Sequence, residues 1–155
     1  MLTSSDLYFD LRRQAVERLA ENRAIANMDV EALRRDVFAD GAVTRAEADA
    51  LFALERAEAP KCGAWTPFFV EAITDHVVWQ VRPTGIVSAA QGEWLLEQAD
   101  AARTLNSFAT LINVLSEAHR VPLWFVAAVR ARAARGWPGA DEAMAAASAE
   151  LMAAA

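Results

Sequence analysis

The chain has 155 residues, 55% hydrophobic and 23% charged, which suits one domain with a real core and excludes intrinsic disorder. Fifteen basic groups against 21 acidic ones leave a net charge of −6, so the basic footprint of a general nucleic-acid binder is absent. One cysteine excludes an internal disulfide framework, and two histidines exclude a histidine-rich metal site.

The first ten residues carry no basic region followed by an apolar run, so no signal peptide is expected. The most apolar stretch, Pro122 to Val129, is too short to span a bilayer and leads into Arg130, Arg132 and Arg135. A cytoplasmic protein is the resulting expectation. Fourteen arginines against one lysine, with abundant alanine, suit a GC-rich bacterial genome.

Apolar residues recur at helical spacing along almost the whole chain, and no segment alternates as a strand would. Leu7, Leu11, Ala15 and Leu19 predict a helix over about 6–25, with Ser5 as N-cap. Val30, Leu33 and Val37 predict a shorter one from Asp29 to Phe38, and Ala48, Leu51 and Phe52 predict another from Thr44 to Glu58. Residues 59–63 (Ala-Pro-Lys-Cys-Gly) break the chain. Thr66 then reads as N-cap and Pro67 as first residue of a central helix, with Glu71, Thr74 and Asp75 wet. Further helices are predicted over 88–103, 106–119 and 122–135, the last closed by Gly136, and the alanine-rich tail from Asp141 reads as helical and frayed.

Residues 37–47 and 81–91 match at an offset of 44. Asp40-Gly41 lies over Thr84-Gly85, Val43-Thr44 over Val87-Ser88, Glu47 over Gln91 and Leu51 over Leu95. Each copy reads as a helix end, a glycine turn, a short extended apolar pair and a capping box, in which Thr44 or Ser88 accepts from the N3 amide. The two helix-turn-helix repeats span about 30–58 and 66–103, and their Ala42-Val43 and Ile86-Val87 pairs are candidates for a tiny ribbon.

The first copy also fits an EF-hand-like loop counted from Asp36, with Asp40 at position 5, Gly41 at 6 and Glu47 at 12. Calcium takes six to eight oxygens, and Phe38 at position 3 supplies none. Asp36, Asp40 and Glu47 remain a candidate set for weak calcium, with affinity no better than about 10⁻⁴–10⁻³ M. The plainer reading makes Asp40 a turn residue and Glu47 a cap. In the second copy Gln80, Arg82, Thr84 and Gln91 take the ligand positions, and Arg82 repels a cation, so no calcium is expected there.

The stretch Ala39 to Glu47 (Ala-Asp-Gly-Ala-Val-Thr-Arg-Ala-Glu) resembles the ADG-x-[IV]-[ST]-x-x-E signature of TerB-like, tellurite-resistance helical domains. The resemblance covers about residues 30–115 and implies an all-helical, acidic domain of a family proposed to sense or bind metal. The second copy departs from it with Thr84 where the family favours an acid. A degenerate EF-hand-like pair and an unrelated helical domain with the same caps stand beside this reading.

His76, next to Asp75 and one turn from Trp79, is a candidate general base; the plainer reading is a core histidine with one nitrogen on a carbonyl. His119 near a helix C-terminus needs only the helix dipole. Cys62 lies beside Lys61, but no signature of a cysteine enzyme surrounds it. The five tryptophans read as core or interface residues rather than stacking platforms. Phosphate loops, G-x-S-x-G, HExxH and dinucleotide fingerprints are all missing. Residues 120–155 carry four arginines against three acids, whereas residues 1–58 carry eight basic groups against twelve acidic, an asymmetry suited to docking.

The sequence therefore predicts a single all-α domain, 1–155, of seven to eight helices. Its expected role is that of an interaction or adaptor module, bound to a protein partner or to itself through an apolar-aromatic face. No cofactor is assigned beyond possible weak calcium. A divalent-cation-responsive protein is the alternative, and an enzyme built on His76 the weaker one.

Overall fold

The computed structural model describes residues 24–37 and 43–137, without the side chains of Asp36 and Val37. About 70% of these residues are helical, and no strand occurs among them. Six α-helices are present: α1 (Asn27–Ala32), α2 (Arg45–Arg56), α3 (Trp65–Thr74), α4 (Ala89–Ala102), α5 (Leu105–Glu117) and α6 (Leu123–Ala134). α1 runs on as a π-helical turn over Leu33–Val37, and α3 as another over Asp75–Trp79. The predicted helix over 6–25 and the tail from Asp141 lie outside the described residues, apart from Ala24 and Ile25. Those two are not helical, because Ile25 forms a parallel bridge with Lys61.

The chain's own contacts divide it between His76 and Val77 into two compact units. In the first, α1 and α2 both pack on α3. The face of α2 made by Ala48, Leu51 and Phe52 is fully buried. The Phe52 ring meets Phe69 edge-on at 5.0 Å, and Phe69 lies 5.7 Å from Trp65. Each such buried side chain contributes about 1.5–3 kcal/mol relative to exposure. At the rim, the Arg34 guanidinium lies 5.1 Å over Phe68 and pairs with Glu71 at 3.2 Å.

α3 starts two residues earlier than its sequence suggests, with Ala64 rather than Thr66 at the cap. The amide of Trp65 donates to the Cys62 carbonyl and its side chain is fully buried, so the turn at 62–65 closes on the tryptophan. Pro67 still sits in the first turn, where its missing N–H costs nothing. Thr74, expected to be wet, is fully buried. Just beyond it His76, Val77 and Val78 are buried in succession. A single helical stripe would not bury three consecutive residues, and the π-helical turn alters the angular spacing there.

In the second unit α5 packs against both α4 and α6, burying Leu95, Ala99, Phe108, Leu111, Val114, Phe125 and Val129. Gly92 allows the close approach of α4 to α6: a Cβ there would lie 3.0 Å from the tip of Trp124 and 3.3 Å from the Phe125 ring. Ser88 and Thr104 cap α4 and α5 by accepting from the amides of Gln91 and Ser107. The extended Ile86 bridges in parallel to Arg120, and the Val87 amide donates to the Arg120 carbonyl. The ribbon partner expected for this pair included Ala42, which lies outside the described residues.

Candidate functional site

Of the three residues offered as a cation site, only Glu47 has a described side chain; those of Asp36 and Asp40 lie outside the described residues. The Glu47 amide donates to Thr44 Oγ at 3.2 Å, and the Thr44 hydroxyl donates to Glu47 Oε1 at 2.9 Å. Glu47 is 4% exposed. The pair thus forms a helix cap with the carboxylate folded back on the N-cap hydroxyl, a close variant of the expected box. Ser88 and Gln91 repeat its first bond at 3.2 Å. Among the described residues no three of His, Cys, Asp or Glu cluster as metal ligands.

His76 is 5% exposed, and its Nδ1 lies 2.8 Å from the Val43 carbonyl oxygen. A carbonyl only accepts, so Nδ1 carries the proton. Nε2 is then the acceptor for the Arg45 Nε–H at 3.4 Å. Burial pushes the imidazole below its ordinary value; the Val43 carbonyl opposes this, Arg45 adds to it and Asp49 opposes it. Both ring nitrogens therefore have protein partners that favour one neutral tautomer. This is the geometry of a histidine tying the start of α2 to the end of α3.

Cys62 is half-buried, and its backbone completes the pairing with Ile25 through an amide bond of 2.9 Å to the Ile25 carbonyl. The neighbouring Lys61 ammonium donates to the carbonyls of Ala57 at 2.8 Å and Ala59 at 3.2 Å, closing the end of α2.

Three of the tryptophans, Trp65, Trp94 and Trp137, are buried, as core residues. Trp79 is half-buried; its indole donates to Glu117 at 3.0 Å and its ring meets His119 edge-on. Trp124 is 41% exposed, and the preceding Leu123 is 87% exposed. Both stand at the start of α6, which turns Phe125 and Val129 inward. Leu123 and Trp124 thus form an exposed apolar pair at the start of α6.

Two features escaped the sequence reading. Glu55 is buried and bonded to Trp65, although it falls at i+7 of the Ala48, Leu51, Phe52 stripe; the position was a signal of burial that its charge disguised. The second is a cleft of about 250 Å³ lined by Asp100, Arg103, Arg132, Arg135 and Trp137. Spacing along the chain gives no hint of it, because it joins the ends of α4 and α6.

No described helix is long and apolar enough to cross a membrane. Comparison with protein-family models, curated proteins and solved structures finds no match to this chain.

Proposed function

We propose that the protein is a small cytoplasmic interaction module of seven or eight helices, built on two capped helix-turn-helix repeats and binding a protein partner or a second copy of itself. The observation that carries this reading is the exposure of Leu123 and Trp124 together at the start of α6. A large aliphatic side chain that is 87% exposed beside a half-exposed indole is the composition of an interface centre. The matching caps at Thr44 and Ser88 support the repeat, and through it the resemblance to TerB-like domains.

Sedimentation velocity across a concentration series tests the reading. The wild-type chain of 16.9 kDa gains mass with concentration, and Leu123→Asp stays monomeric. Because Leu123 is so exposed, that variant keeps its stability within about 0.5 kcal/mol. A wild-type mass that stays monomeric up to about 1 mM, a weak-binding limit near 4 kcal/mol, overturns self-association.

A further inference from the structure

Among the described residues, the cleft at the ends of α4 and α6 collects three guanidinium groups and one carboxylate, in a chain whose net charge is −6. Asp100 is committed to one of the three. It accepts from Arg132 Nε at 2.7 Å and from Nη2 at 2.6 Å, while Arg132 Nη1 donates to the Ala128 carbonyl at 2.9 Å. This bidentate pair fixes Arg132 and cancels one charge against another, which leaves Arg103 and Arg135 as an excess of two positive charges.

Trp137 completes the lining and is itself held by its indole bond of 2.9 Å to the Thr104 carbonyl. Arg103 is at the C-cap of α4 with φ 46° and ψ 46°, the left-handed region that helix ends normally give to glycine or asparagine. It is the one non-glycine residue with positive φ among those described. An arginine kept in a backbone conformation that costs it stability, and lining a cleft, points to a role for its side chain. Arginines also suit helix C-termini through the dipole, but that would be served without the left-handed backbone.

We propose that this cleft binds a small phosphate monoester, its dianion matched by Arg103 and Arg135 with Arg132 fixed beside Asp100. The guanidinium fork fits phosphate oxygens two at a time, and two excess charges match a dianion better than a carboxylate. A cleft of about 250 Å³ holds a small molecule rather than a folded segment. The site is separate from the exposed end of α6 and does not depend on self-association.

Ligand-observed ³¹P NMR of the full chain with inorganic phosphate and with glycerol 3-phosphate tests the proposal. The expected result is saturable broadening with both, stronger for the ester, reversed by sulfate but not by equal acetate. Arg135→Gln and Arg103→Gly weaken binding about tenfold or more, whereas Arg130→Gln, on the same helix but outside the cleft, leaves it unchanged. Arg103→Gly also raises the thermal midpoint by about 2–4 °C, which separates loss of binding from loss of folding. Absence of saturable broadening overturns the proposal, as does equal displacement by acetate or an equal loss in Arg130→Gln. Binding of inorganic phosphate with exclusion of the ester would likewise overturn the monoester assignment.

Discussion

The indole N–H of Trp65 donates to Glu55 Oε2 across 2.6 Å, and both side chains are buried, at 0% and 5% exposure. A charged acceptor makes this one of the stronger kinds of hydrogen bond, and it ties the last turn of α2 to the first turn of α3. The short link between the helices is thereby closed at both its ends. Trp65→Phe leaves the buried carboxylate without that donor and opens space beside Phe69, and is expected to cost about 3 kcal/mol. Glu55→Gln keeps an acceptor oxygen and costs about 1 kcal/mol. Urea unfolding of the two variants measures the difference; equal small losses would show that the bond contributes nothing.

His76 makes stability depend on pH in a stated direction. Burial lowers its folded-state value below the ordinary 6.5, so the unfolded chain binds the proton more readily. The contribution is complete above pH 6.5 and is lost as pH falls from there through the folded value. The thermal midpoint should fall as pH is lowered through and below 6.5, and the fall should flatten in His76→Gln. An unchanged slope in that variant would assign the dependence to other groups.

The Thr44 and Glu47 bonds predict a cap rather than a ligand. Thr44→Ala removes the acceptor of the Glu47 amide and is expected to destabilise the protein by about 1 kcal/mol. Calcium added to the chelator-treated protein, up to about 10 mM, should leave tryptophan emission and thermal midpoint unchanged. A saturable response below about 1 mM, lost in Glu47→Gln, would replace the cap with a cation site.

Gly85 is required by both its backbone and its surroundings. Its φ is +81°, and a Cβ would lie 2.5 Å from the His119 ring. Its N–H donates to the Val78 carbonyl at 2.8 Å, and its own carbonyl accepts from His119 at 2.8 Å and Arg120 at 3.3 Å. Gly85→Ala should cost at least about 2 kcal/mol, from left-handed strain and displacement of the imidazole that stacks edge-on with Trp79. Adding His119→Ala relieves the clash but not the strain, so the double variant should recover only part of the loss. Thermal unfolding of the single and double variants measures both terms.

The helices were legible because each buries one stripe whose period survives in the residue order. Ala48, Leu51 and Phe52 announce α2, and Thr44, Ser88 and Gly136 mark boundaries through local backbone bonding and a left-handed turn at 78°. At Thr44 and Ser88 capping needs only residues three apart, so sequence alone determined it, whereas the cap expected at Thr66 gave way to Ala64. The exposure of Leu123 and Trp124 was not legible, because the run from Pro122 to Val129 is apolar throughout and its order does not mark which residues stay outside.

What tertiary structure decided lies in pairs distant along the chain. Ile25 is extended rather than helical because Lys61, far along the chain, offers it a bridge. α3 opens at Trp65, not Pro67, where Glu55 receives the indole. Asp100 and Arg132 meet across 32 positions, drawing the ends of α4 and α6 into one arginine-lined cleft. Periodicity records which way a residue faces along its own helix. It carries no information on which helix end will lie beside it, since that is set by packing the whole set of stripes together.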